Sequence, residues 1–261
     1  MRVPQQPGVL LTARRPAEEA ALERLAADVR AEHPLRAVGT AFLETDPPTV
    51  FEGLRRLARE CARVAVIPAF PGPGGVIPPA LDAALAVAAT CLPATRIRVA
   101  PPLGAEPELL PLARRCLTEM GATTSGDPGH TGIVVLGRGS RDPDALAPLV
   151  ALAWRLGRDL GAARADGAFQ RAAPPSLETV IADQMATGVR RILVFPHALL
   201  PDALRDHARD RIAGIRMRHP GLEVGLCEPP GSCPDVRAWI ARRLETVETT
   251  PFHAGDPPWS S

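Results

Sequence analysis

Short apolar runs alternate with helical patterns along the whole chain. In the first half the runs are Val9–Thr12, Ala37–Phe42, Val64–Ile67 and Ile97–Ala100. In the second they are Ile133–Leu136, Ala165–Phe169, Ile192–Phe195 and Leu222–Cys227. Runs of this length, bounded by turn residues, read as buried strands. Between them, Leu22, Leu25, Ala26 and Val29 fall at i, i+3, i+4 and i+7, as do Leu146, Leu149, Val150 and Ala153. That spacing gives a helix one apolar face. Strand–helix alternation predicts an α/β fold of parallel sheets, about four strands each, with helices on both faces.

The pattern also repeats. Arg63–Pro68, RVAVIP, returns as RILVFP at Arg191–Pro196. AFLETDPPTVFEGL from Ala41 returns as AFQRAAPPSLETVI from Ala168, and the segment ending at Leu117 returns in the one ending at Leu244. Three motifs in one order at a near-constant offset imply two homologous domains, placed at residues 7–121 and 131–247. Gly121–Gly132 is rich in Gly, Thr and Ser and reads as the linker. Residues 248–261 have no periodicity and are expected to be a mobile tail. In parallel α/β sheets, ligands bind beyond the carboxyl ends of the strands. With two such domains, the expected pocket is the cleft between them.

Composition narrows the chemistry. The 261 residues carry 30 basic and 29 acidic side chains, a formal net charge of +1. No basic block marks a nucleic-acid surface, and six Phe, three Trp and no Tyr leave little for base stacking. Every basic residue is arginine, which excludes a Schiff-base lysine and a P-loop lysine. The cysteines, Cys61, Cys91, Cys116, Cys227 and Cys233, are odd in number and form no CxxC pair. A disulfide framework or a zinc ribbon is therefore not expected. No apolar stretch has the length of a signal peptide or a membrane span. The expectation is a cytoplasmic protein with no membrane or nucleic-acid partner.

The segment Ile133–Leu146, IVVLGRGSRDPDAL, reads as a strand, a glycine-bearing turn and a helix start. Gly137 and Gly139 would let the backbone turn tightly, and Asp142 before Pro143 has the form of an N-cap with proline at N1. Arg138 and Arg141 fall at the strand's carboxyl end, where guanidinium groups suit a carboxylate-rich ligand. With Ser140, and with Arg14 in the corresponding turn of the first half, they are the candidate substrate-binding residues. Gly72–Gly75 has no following Lys and Ser/Thr, so it is not a P-loop. No G-x-S-x-G string offers a nucleophile elbow. The RRP and RGS turns lack the histidine of a phosphohistidine mutase.

GRGSRDPDA, then AF…APP, then a strand ending in proline, resembles the sirohydrochlorin chelatase family of cobalamin and sirohaem biosynthesis, the class II chelatases. The resemblance covers nearly the whole chain and matches the tandem-domain form. It implies two α/β domains of flavodoxin-like size with an active cleft for a polycarboxylate tetrapyrrole. The implied reaction inserts Co²⁺ or Fe²⁺ into sirohydrochlorin, with the metal as substrate and no tightly bound cofactor. The family's metal-binding histidines are missing. A GHG(S/T)R turn is expected after the first strand, but LLTARRPAEEA places Ala13 there. A GGH stretch is expected after the third strand, but Pro68–Leu81 has Gly74 and Gly75 without a histidine.

Another histidine must then serve, if any does. His197 directly follows Pro196 at the carboxyl end of the second half's third strand, where an imidazole could take Co²⁺ or Fe²⁺ or accept protons. It is the candidate catalytic and metal residue. His207, on the helix beginning near Pro201 and close to its apolar face, is the second metal candidate. His33 and His219 mark helix ends, where a cation is favoured. His130 and His253 lie in the linker and the tail. Two readings stand open. One is an active chelatase. The other is a non-catalytic protein descended from one, which binds or carries a tetrapyrrole or else binds a neighbouring enzyme of its pathway.

Overall fold

Strands form where the apolar runs lie, because covering both faces of a sheet demands residues that can be buried on either side. In the computed structural model, which describes residues 6–43, 47–71, 78–104, 108–122, 130–201 and 203–249, eight strands make two parallel sheets of four. The first contains β1 (Gly8–Ala13), β2 (Val38–Phe42), β3 (Arg63–Pro68) and β4 (Arg96–Val99), in the order β2-β1-β3-β4. The second contains β5 (Thr131–Gly137), β6 (Arg164–Phe169), β7 (Arg191–Pro196) and β8 (Glu223–Leu226), in the order β6-β5-β7-β8. β1 is buried throughout and β5 from its second residue on, as central parallel strands must be, whereas the edge strand β6 is mostly half-buried.

The repeat extends to register. Thr12 pairs with Pro68 as Leu136 pairs with Pro196. The Phe42 amide donates to Pro48 as that of Phe169 donates to Pro175, each at 2.9 Å. Helices cover both faces of each sheet. In the first half these include α1 (Glu19–Glu32), α2 (Val50–Leu57) and α3 (Pro79–Cys91). Leu22, Leu25, Ala26 and Val29 are all buried, as their spacing requires. Thr49 and Glu52 close a reciprocal capping box that starts α2.

The second half has α5 (Ala147–Leu160), α6 (Leu177–Ala186) and α7 (Ala203–Arg218). Here the apolar face differs from expectation. Leu149, Leu152, Ala153 and Leu156 are buried, but Val150 is half exposed at 49%. The helix also starts later than expected. Asp142 does not cap it, because its Oδ1 accepts from the Asp144 amide at 3.0 Å and closes a local turn. The chain then tightens through Ala145 to Asp142 and Leu146 to Pro143 before α5 begins at Ala147.

The last helix of each repeat packs away from its own sheet. α4 (Leu109–Glu119) buries Leu109, Ala113 and Leu117 in the core of the second sheet with Ile133, Val135 and Leu156. α8 (Pro234–Thr249) packs beside β3 and α1 of the first sheet. One compact unit therefore takes residues up to 105 together with 231 onward, and the other takes 106–230. The boundaries expected at 121 and 247 follow the repeat and not the packing. Polar ties made far along the chain fix the exchange. Arg191 donates to the carbonyls of Met120 and Gly121 at 2.6 and 3.0 Å, holding the end of α4. Arg36 pairs with Glu248 at 2.5 Å and Arg243 donates to the Pro101 carbonyl at 3.1 Å, holding α8. Glu248 and Thr249 thus belong to α8 and not to a tail, and residues 250–261 lie outside the described residues. So do residues 123–129 of the linker.

Candidate functional site

The carboxyl end of the second sheet gathers the chemistry. β5 ends at Gly137, which is strand and not turn. A Cβ there would run into the Leu149 side chain, so this glycine serves helix–strand packing. Gly139 makes the turn, with φ of +86°, and a Cβ on it would strike the Arg171 carbonyl oxygen. Arg138 is half-buried, and its carbonyl accepts from the Arg171 amide at 3.0 Å. Ser140 is half-buried, its hydroxyl accepting from the Asp142 amide at 3.0 Å. Arg141 is exposed.

His197 leaves β7 beside this turn. Its amide donates to the Leu136 carbonyl at 2.8 Å, which places it next to Gly137 and Arg138 on the neighbouring strand end. The residue is half-buried, and Ala198, Leu199 and Leu200 behind it are buried. His207 lies in sequence between the buried Leu204 and Ala208 of α7. It is exposed on the first turns of α7, with Nδ1 2.6 Å from the Ala203 carbonyl oxygen, while Leu204, Ala208 and Ile212 are buried. Among the described residues, no group of three or more His, Cys, Asp or Glu side chains is placed to hold a metal ion. His33 is the C-cap of α1, and His219 follows α7 with its amide on the Ile215 carbonyl. His130 is exposed before β5, and His253 lies outside the described residues.

An ion pair that the sequence does not announce braces the same end of the sheet. Arg205, near the start of α7, reaches Glu228, which follows β8, at 2.6 Å, and Asp206 at 3.2 Å. The Glu228 carboxylate holds the Arg205 guanidinium above its ordinary value, against the opposing effect of burial. The partners are 23 residues apart in sequence, so no local pattern could pair them. Nearby, burial pushes the Cys227 thiol up to about 12, with Cys116 adding to the effect. Cys227 is a core residue whose amide donates to Val194 and whose sulfur lies 3.1 Å from that of Met120.

The first sheet presents a different end. Arg14 follows β1, its amide donating to Glu18 Oε2 at 3.2 Å. Its guanidinium carbon lies 4.5 Å from the centroid of the buried Phe70 ring, a cation–π contact. Thr12, buried two residues earlier, has no hydrogen-bond partner for its hydroxyl among the described residues. Gly74 and Gly75 lie outside the described residues. Imidazole and guanidinium groups at one strand end can, respectively, take a divalent metal or a proton and fix carboxylates. A guanidinium stacked on a ring can only do the second.

Comparison with known proteins agrees in sequence and in fold. The CbiX family model matches residues 13–120 and again 132–247. A sirohydrochlorin cobaltochelatase of Priestia megaterium is 25% identical over 209 residues, covering 80% of this chain and 68% of that protein. SirB from Bacillus subtilis, solved with Fe³⁺, superposes with a TM-score of 0.73 at 18% identity, over 94% of this chain and 96% of its own. CbiX, described as the terminal enzyme of sirohaem biosynthesis in denitrifying bacteria, superposes with a TM-score of 0.62 at 24% identity, over 94% of this chain and 100% of its own. Among the described residues, no helix is long and apolar enough to cross a membrane.

Proposed function

From the premise that the chain belongs to the CbiX family, whose model spans both repeats, we propose that it is a metal chelatase that inserts Co²⁺ or Fe²⁺ into sirohydrochlorin. The observation that supports this reading is the juxtaposition of His197 with the Arg138–Arg141 turn on adjacent strand ends. Arg138 and Arg141 fix peripheral carboxylates of the tetrapyrrole by charge-assisted bonds, and Ser140 adds a hydroxyl. Inserting a divalent ion displaces two pyrrole protons. The His197 imidazole binds the incoming metal weakly and, once it has passed the metal on, accepts those protons one at a time and releases them to water. A single imidazole holds no divalent ion tightly, because stable sites need three or four protein ligands. That suits a residue which must surrender its metal.

A second reading has its own support. Where the family resemblance calls for a histidine after the first strand, this chain has Ala13 and then Arg14 stacked on Phe70. A first lobe without that histidine suits a protein that binds a tetrapyrrole and carries it without metallating it. A spectral titration of sirohydrochlorin separates the two. A shift on adding protein alone reports binding. Metallation faster than in the protein-free control reports chelation.

A further inference from the structure

A groove of about 670 Å³ lies at the amino ends of β7 and β8, where α6 and α7 finish. Met185, Pro220 and Leu222 give it an apolar wall. Arg190, Arg218 and His219 give it a cationic one, and no carboxylate lines it among the described residues. Neighbouring arginines are committed to the fold. Arg191 holds Glu223 at 2.8 Å as well as the end of α4, and Arg216 donates to the Val224 carbonyl. Arg190 and Arg218 line the groove itself. Both are exposed, and among the described residues both donate only to backbone carbonyls: Arg190 to Val189 and Met185 at 3.0 and 3.5 Å, Arg218 to Gly214 at 3.2 Å. A guanidinium has five N–H donors, so each keeps several for another acceptor. The ends of α6 and α7 favour one nearby cation each. They do not call for two guanidiniums and an imidazole around a half-apolar hollow.

We propose that this groove binds a small amphipathic anion. Arg190 and Arg218 take its phosphate or carboxylate head, with His219 beside them, and Met185, Pro220 and Leu222 cover its apolar part. The volume falls in the ordinary range for small-ligand pockets, roughly 300–1,000 Å³. The groove is at the opposite end of β7 from His197. With six residues of strand between, the two are about 20 Å apart. The inference therefore does not rest on the chelatase reading.

The test titrates the full chain with phenyl phosphate, benzoate, inorganic phosphate and phenol, followed by calorimetry. Phenyl phosphate or benzoate should bind saturably, and the tighter of the two identifies the head group. Inorganic phosphate should bind at least tenfold more weakly than phenyl phosphate, and phenol should not saturate. The double substitution Arg190→Ala with Arg218→Ala should weaken binding at least tenfold, and Arg218→Glu alone should do the same with an unchanged melting temperature. Arg141→Ala should leave the affinity as it is. Absence of saturable binding by either amphipathic anion would overturn the proposal. So would equal affinity for inorganic phosphate, full affinity in the double variant, or loss of binding in Arg141→Ala.

Discussion

The two sheets share strand order and register, yet their carboxyl ends carry different side chains on equivalent positions. Thr12 and Leu136 occupy the same place on the central strands, so Arg14 corresponds to Arg138, Ala69 to His197 and Phe70 to Ala198. Backbone bonds confirm the match: the Ala69 amide donates to Thr12 at 2.7 Å as the His197 amide donates to Leu136 at 2.8 Å. In the first sheet the guanidinium rests on a ring, and among the described residues no imidazole is present at the strand end. In the second, an imidazole is present and an alanine stands where the ring would be. Two changes on one frame separate an end with a stacked guanidinium from one with an imidazole beside an arginine turn.

The strongest way to break the contrast is to unmake the turn that presents it. Gly139→Ala combines a left-handed φ with a collision against the Arg171 backbone. It should cost about 3 kcal/mol in denaturant unfolding and abolish tetrapyrrole binding. Gly188→Ala is the control, since its φ is +96° but its surroundings are open, and it should cost only about 1 kcal/mol. Equal costs at the two positions would mean that the turn yields easily.

The next prediction weighs the arginines against each other. Arg141→Ala removes an exposed guanidinium and should weaken sirohydrochlorin binding by roughly 1.5–3 kcal/mol, one charge-assisted bond. Arg14→Ala removes a guanidinium that the Phe70 ring already engages. Its cost should appear instead as about 0.5–1 kcal/mol of stability, the worth of a cation–π contact. Affinities from the spectral titration and unfolding midpoints of the two variants check both halves.

A smaller effect lies in the second unit's core. Burial pushes the Cys227 thiol up to about 12 in the fold, from an ordinary 9.0. Its folded value is raised, so the unfolded chain loses this proton first. The contribution is complete below pH 9 and is lost as pH rises from 9 towards 12. The urea midpoint should therefore fall between pH 8 and pH 10, and less so in Cys227→Ala. Iodoacetamide at pH 8 should label the exposed Cys91 in the native protein and reach Cys227 only on unfolding.

Much of this frame is legible in the sequence because central parallel strands are continuous apolar runs. RVAVIP and RILVFP read as the same strand before any contact is known. The turn at Arg138–Arg141 is legible for the same reason, since it follows such a run directly. The exchange of α4 and α8 is not, because both helices bury similar apolar faces and either sheet could accept either one. Arg191, Arg36 and Arg243 decide it through partners distant along the chain, and arginine on a surface pattern carries no address. The start of α5 is misread because Asp142 suits an N-cap and an Asx turn equally well. The Arg14–Phe70 stack escapes notice because a lone phenylalanine after a strand reads as core.

The central claim is that His197 carries the metal and proton chemistry at the second sheet's strand end. Its most direct test is the rate of Co²⁺ insertion into sirohydrochlorin by the unmodified chain and by His197→Ala, followed by the absorbance change on metallation. The account predicts acceleration over the protein-free control. In the variant that acceleration should fall by about 100-fold or more, the scale of general acid–base catalysis, with tetrapyrrole binding retained. A variant that metallates as fast as the unmodified protein would contradict it.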